Sequence, residues 1–283
     1  MFTPTDSVKA LLEEFPTLQT RQGNLAVVKL GGAAMEDSRV KDLVADQVAA
    51  LYFAGLKVIL VHGAGHEIGR WVKRLNLPEP RFIAGCRVTD SETMQVTEMV
   101  LGGLVNGELT SKVAERGAPA IGLSGRSARL TTARVIVGPN GEDLGHVGEL
   151  SYVNRELFSK IHNDGYLPVM PCYSQTECGA PINLNGDYFA ASLAGALNAD
   201  WCFFLTNVPG VMKDGSVLPN LKVSEAEELI RDHTVTGGMI PKVSSAVKAC
   251  QAGAKLTVIT EASTPKVLIR ILTGERGIGT IFN

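Results

Sequence analysis

The chain has 283 residues, 27 of them basic and 29 acidic, with a formal net charge of −2 and 45% hydrophobic residues. That length supports a large core in one or two domains, and the near-average composition excludes a disordered or fibrous chain. No run of Lys or Arg supports nucleic-acid binding, and no apolar stretch reaches the ~18 residues of a membrane span.

The first 24 residues precede any strand pattern. Val8, Leu11, Leu12 and Phe15 recur at i, i+3, i+4 and i+7 and predict a helix, capped by Asp6 or Ser7. A helix so short needs a surface to lie on, either its own subunit or a second one. Its acidic residues do not fit a signal peptide, so a cytoplasmic protein is expected. From Leu25 onward, short β-branched runs alternate with helical periods. Strands are predicted over Leu25–Leu30, Lys57–His62, Pro119–Leu123, Leu167–Met170, Trp201–Leu205 and Lys255–Thr260. Helices are predicted over Ser38–Ala54, His66–Leu75, Ser91–Arg116, Asn154–Asp164, Asp187–Asn198 and Pro241–Ala252. Runs apolar on both faces suit buried parallel strands, and the alternation predicts a three-layer αβα sandwich around a mainly parallel sheet. Leu130–Val137 and Gly145–Leu150, joined through Asn140-Gly141, read as an inserted hairpin able to cover a site. The expected organisation is an N-terminal extension (1–24) and two lobes (25–180 and 181–283), with a crease near 171–183.

The five cysteines (Cys86, Cys172, Cys178, Cys202, Cys250) form no CxxC pair and are read as reduced, mostly buried thiols. His62 and His66 are four apart, but a strand–helix junction separates them and no acidic third ligand follows. No metal site is predicted.

The chemistry-bearing positions follow strands. Lys29-Leu30-Gly31-Gly32 ends the first strand and His62-Gly63-Ala64-Gly65 the second. Glycines at that sheet edge let backbone N–H groups face phosphate or carboxylate, helped by the following helix N-terminus. GxxxxGK followed by Ser or Thr is absent, and the sixth position of GxGxxG holds Ile68, so neither a P-loop nor a Rossmann site is expected. Lys29 lies in an apolar strand, where a buried ammonium requires an anion. Lys242, after Gly238-Met239-Ile240-Pro241, is a cation opposing a helix dipole, which an anion would resolve. Asp187 opens another helix in Asn183-Leu184-Asn185-Gly186-Asp187, where capping explains it as well as catalysis does.

With Ala84-Gly85-Cys86-Arg87-Val88-Thr89-Asp90 and Leu205-Thr206-Asn207-Val208-Pro209-Gly210, these segments occur in an order that resembles the amino-acid kinase family. The substrate-loop pattern GxRVTD is most similar to its N-acetylglutamate kinase branch. The resemblance runs from about residue 8 to the C-terminus and implies a cytoplasmic ATP- and Mg2+-dependent kinase of arginine biosynthesis acting on N-acetylglutamate. It implies that Lys29 and Lys242 neutralise the transferring phosphoryl group and that Asp187 holds both lysines. Gly31, Gly32 and Gly63 would serve phosphate, and Ala64, Gly65, Arg87 and Asn183 the substrate. Asn207, Val208, Gly210 and Thr234–Thr236 would line the nucleotide pocket. It also implies a homodimer or a hexamer built as a ring of dimers, the N-terminal helix docking on a second subunit, and arginine as feedback inhibitor with Glu275 facing its guanidinium. The departures are Ala64, where the family's turn carries a third glycine, and Gly186 with Tyr188-Phe189 beside Asp187. They leave open a kinase for an N-acylated 2-aminoadipate, one methylene longer. A non-catalytic nucleotide or amino-acid sensor on the same fold is the alternative from another class.

Overall fold

The computed structural model describes residues 2–283. After α1 (Asp6–Glu14) and a 3-10 turn over Pro16–Arg21 come β1 (Leu25–Leu30), α2 (Ser38–Phe53), β2 (Lys57–His62) and α3 (Gly65–Arg74). A short ribbon, β3 (Phe82–Ile83) and β4 (Cys86–Arg87), leads into one rod made of α4 (Ser91–Glu98), a π-helical stretch over Met99–Val105, and α5 (Asn106–Glu115). Next are β5 (Ala120–Gly122), the hairpin β6 (Thr131–Val137) and β7 (Asp143–Val153), α6 (Arg155–Asn163), β8 (Leu167–Pro171), β9 (Tyr173–Gln175) and β10 (Pro181–Leu184). The remainder comprises α7 (Gly186–Ala196), β11 (Trp201–Thr206), β12 (Met212–Lys213), β13 (Ser216–Val217), β14 (Asn220–Leu221), α8 (Val223–Arg231), α9 (Met239–Gln251), β15 (Leu256–Glu261), α10 (Val267–Leu272) and β16 (Thr280–Phe282).

The central sheet has the order β14-β16-β15-β11-β1-β2-β8-β5. β1 lies in its middle because LAVVKL is apolar on both faces; Val27, Val28 and Leu30 are fully buried, each worth about 1.5–3 kcal/mol. β1 pairs in parallel with β2 on one side and β11 on the other. The chain therefore leaves β1 in one direction through α2 and returns to its other side much later. This makes β1 a topological switch point, where α/β folds bind ligands beyond the C-terminal ends of strands. α2 and α5 pack on the β2–β8–β5 half, and α7 and α9 on the β1–β11–β15 half.

All six predicted strands are present, within about two residues of the expected ends. The sheet is mixed because β16 runs antiparallel to β15. The crease at 171–183 is where β9 and β10 leave for a second sheet of order β6-β7-β10-β9. The hairpin belongs to this sheet and overhangs the Gly85–Asp90 loop: Thr89 N–H donates to Leu144 O (3.0 Å) and His146 N–H to Thr89 O (2.6 Å). Gly141, at φ +84°, turns it as expected. The predicted Ser91–Arg116 helix contains the π stretch, and α8 and α10 had no counterpart in the sequence reading.

One expectation at the N-terminus is corrected: neither Asp6 nor Ser7 caps the first helix. α1 begins at Asp6 with Thr5 at its N-cap and no side-chain cap. It lies on its own subunit, with Val8 and Leu11 buried, Thr5 N–H donating to Arg116 O (3.2 Å), and the Lys266 ammonium holding the Glu14 carboxylate. At the other end, Arg270 on α10 reaches around the helix end and donates to Glu275 through Nε (2.7 Å).

Candidate active site

Lys29 is 8% exposed, and its ammonium meets the Asp187 carboxylate at 2.6 Å. The pair brings the C-terminal end of β1 to the first turn of α7. Asn185 caps that helix: its Oδ1 accepts from the N–H groups of Asp187 (2.9 Å) and Tyr188 (3.2 Å). Helix capping and the ion pair thus use different residues, and the Asp187 carboxylate is left for the lysine.

Two cavities open on either side of this pair. The larger, about 300 Å³, is walled by Gly63, Ala64, Gly65, Arg87 and Asn183. The smaller, about 120 Å³, is walled by Thr206, Asn207 and Lys242. Lys29, Gly31, Gly32 and Asp187 belong to both walls. Of the Lys, Arg, Asp and Glu side chains that line the two, three are cations (Lys29, Arg87, Lys242) and one is an anion, Asp187. An excess of positive charge at a junction between two pockets suits a transferring phosphoryl group.

In the larger cavity, Arg87 stacks over Phe82 (4.8 Å to the ring centroid) and donates through Nη2 to Gly65 O (2.8 Å). Burial pushes its pKa down. Its Nη1 is buried without a hydrogen-bond partner among the described residues, and an incoming carboxylate would satisfy it. Fully buried Thr89 ties the two polar walls together. Its hydroxyl donates to Arg87 O (2.7 Å) and accepts from Asn183 Nδ2 (3.0 Å). Ala64 has a φ of −160°, outside the left-handed region that would favour glycine. A β-carbon on Gly186 would meet Lys29 Cε at 3.4 Å, an ordinary contact.

Not every expected residue is gathered here. Lys242 lines the smaller cavity in the first turn of α9, but its Nζ donates to Gly238 O (3.4 Å) rather than to Asp187. Among the described residues, Asp187 therefore holds one lysine and not two. Val208, Gly210 and Thr234–Thr236 line neither cavity. Gly210 has a packing role: a β-carbon there would press on Thr280 Oγ1 at 2.7 Å, and the same hydroxyl accepts from Val211 N–H (2.8 Å). His62 and His66 part company. His66 Nδ1 meets Glu36 at 2.5 Å, whereas His62 is fully buried and pairs through Nε2 with Asn106 Nδ2 (3.1 Å). Burial drives the His62 pKa down to about 3, so the ring is neutral. Cysteines 86 and 172 also line the larger cavity; both are free thiols, and burial pushes Cys172 up to about 11. Neither had been expected at the site, because a single buried Cys carries no sequence pattern of its own.

The sequence profile described as "Amino acid kinase family" matches residues 24–260. The acetylglutamate kinase of Acaryochloris marina is 39% identical, with 99% of each chain covered. That of Methanocaldococcus jannaschii is 38% identical, covering 99% of this chain and 97% of that one. Among solved structures, an N-acetylglutamate synthase from Neisseria gonorrhoeae, complexed with coenzyme A and N-acetyl-glutamate, superposes with a TM-score of 0.84 at 25% identity. It covers 98% of this chain, which spans 63% of the synthase's length. Giardia carbamate kinase shares the fold at a TM-score of 0.68 and 20% identity, covering 92% of this chain and 99% of its own.

Proposed function

The chain belongs to the amino acid kinase family, and on that premise we propose that it transfers a phosphoryl group from ATP to the γ-carboxylate of N-acetyl-L-glutamate, as in arginine biosynthesis. The observation that carries this reading is the wall shared by two cavities, with a buried lysine–aspartate pair set into it. Full-length similarity to acetylglutamate kinases favours it over the aminoadipate and sensor alternatives.

The larger cavity takes the acyl amino acid. Arg87 receives the α-carboxylate on its planar fork, and Asn183, held by Thr89, fixes the second polar contact. The γ-carboxylate then points at the junction. With a pKa near ~4.3 it is ionised at neutral pH, so no general base is needed. Its oxygen attacks the terminal phosphorus, the bond from phosphorus to the bridging oxygen breaks, and ADP leaves with that electron pair. Lys29 from one side and Lys242 from the other neutralise the equatorial oxygens, and backbone N–H groups of Gly31, Gly32 and Gly63 supply further donors. Asp187 keeps the Lys29 ammonium at the junction. Asn207 meets the nucleotide.

Among the described residues, no three His, Cys, Asp or Glu side chains cluster as metal ligands, and the one carboxylate of the shared wall already holds Lys29. Mg2+ would accordingly be held by phosphate oxygens and water, and bound there it neutralises phosphate charge. The lobe carrying Arg87 and Asn207's lobe divide the work between acceptor and donor. The same reading carries a cytoplasmic homodimer or ring of dimers with arginine as feedback inhibitor. An inhibitor guanidinium at Glu275 would have to displace Arg270; sedimentation velocity and an arginine titration of turnover test these points.

The experiment for the reaction is trapping of the acyl phosphate with hydroxylamine in the presence of Mg-ATP. N-acetylglutamate should give the hydroxamate and N-acetylaminoadipate much less. A signal only with the longer acid, or silence with both, would overturn the reading.

A further inference from the structure

At the opposite edge of the central sheet, where β1 and β2 begin, lies a separate cavity of about 260 Å³. Arg155, Phe158, Ser159 and His162 form its wall from one face of α6, at i, i+3, i+4 and i+7, and Lys57 faces them from the start of β2. No carboxylate lines it. Among the described residues neither Lys57, Arg155 nor His162 makes an ion pair, whereas Lys9, Lys112, Arg116, Lys160 and Lys255 each do. The acids near it do not line it: Glu156 pairs with Lys160 (2.6 Å), Asp164 lies outside the wall, and Asp200 accepts from Leu25 N–H (2.8 Å) and pairs with Lys255 (2.7 Å).

The two cations and the imidazole are also oriented. With the Asn198 amide turned to satisfy both neighbours, its oxygen accepts from Arg155 Nη2 at 2.6 Å. That anchors the guanidinium at the end of α7 and leaves its other N–H groups free. His162 Nε2 donates to Val58 O (3.3 Å), so Nδ1 is the ring's remaining polar atom. Burial holds the His162 pKa below the usual imidazole range, and the Lys57 charge pushes it the same way. Like charges converging on one hollow raise the free energy of the unliganded protein, and a bound anion relieves that repulsion.

We propose that this cavity is a second anion site, for a small multivalent anion bearing phosphoryl or carboxylate groups, recognised by Lys57, Arg155 and Ser159, with the His162 ring in the wall as its neighbour. The cavity's volume lies just below the ~300 Å³ at which pockets for drug-sized ligands begin, which suits a small metabolite. The site stands about 17 Å from the glycine turn at Gly63, the length of β2. It therefore does not depend on the reaction assigned above.

The test is a titration of the full chain with pyrophosphate at constant ionic strength, read on the ring resonances of His162 by NMR. The five histidines are distinguished with a His162→Gln variant. A saturable shift of His162 is expected in the unmodified protein, with at least tenfold weaker binding in Lys57→Ser/Arg155→Ser. Ser159→Glu, which sets a carboxylate at the mouth, should weaken binding equally and serves if the double variant does not fold. Citrate in parallel tells phosphoryl from carboxylate preference, and saturation by either supports the site. The absence of a saturable shift with both anions, or unchanged affinity in a folded variant, would overturn it.

Discussion

The ammonium of Lys29 fills the space that a β-carbon on Gly31 would need, two residues further along the same chain. Gly31 is extended (φ −168°, ψ −178°), so backbone freedom is not what selects glycine there. Close approach is. The lysine turns back over its own strand end to reach Asp187, and only a residue without a side chain lets it do so.

Gly31→Ala should therefore leave the fold intact, because the flexible end of the lysine can swing away, but detach Lys29 from Asp187. A fall in kcat of about 10²-fold is expected, the size seen when one positioned transition-state donor is lost. Steady-state turnover beside a thermal melt checks this. Unaltered kcat with an unaltered Tm would count against a catalytic Lys29.

Lys242 is only half-buried and has no carboxylate within ion-pair distance among the described residues. Its charge is available to the phosphoryl group rather than spent on structure. Lys242→Ala is expected to reduce kcat by about 10²–10³-fold, in the range of lost phosphoryl-charge contacts. ADP affinity, measured by calorimetry, should change far less than turnover.

Thr89 reaches no cavity, yet its hydroxyl holds both substrate-side polar groups. Thr89→Val keeps the shape and removes both hydrogen bonds, leaving Asn183 loose. At about 1.4 kcal/mol for the lost orientation, KM for the acyl amino acid should rise roughly tenfold, with kcat changed less. A loss confined to kcat would contradict a positioning role.

His62 is neutral in the folded protein down to about pH 3, whereas in the unfolded chain it takes up a proton near pH 6.5. Its folded pKa is depressed, so the stability it contributes is complete above pH 6.5 and is lost as pH falls from there towards 3. Between pH 7 and pH 5 the loss should be about 2 kcal/mol. Urea midpoints at the two values, compared with His62→Gln, isolate this share, because the variant should lose correspondingly less on acidification.

Strands buried on both faces were legible because runs such as LAVVKL and WCFFL leave no polar face to expose. β9, β10, β14 and β16 were not, because two to four residues hold no measurable period. Residues of the site that are chemically out of place in their segment, Lys29 in an apolar strand and Lys242 against a helix dipole, announced themselves. The pairing between them did not: which lysine Asp187 holds depends on where β1 and α7 end in space. Gly210 is not legible in this way, for a physical reason. A glycine needed for packing against Thr280 looks the same in sequence as one needed by a ligand.

The placement of β1 also sets the order in which the protein can be built during translation. β1 is made well before β11, and Ala26 finds its partner on that flank only when Trp201 has been made. At ~5–20 residues per second the ribosome takes about ten to thirty-five seconds to cover that interval. Throughout it the strand that ends at Lys29 and Gly31 is an apolar edge with unpaired backbone groups, the geometry most prone to joining another chain. The segment that ends in the proposed phosphoryl-transfer residues is thus a liability of the nascent chain, and a chaperone that shields Leu25–Leu30 until β11 arrives would raise the yield of folded enzyme.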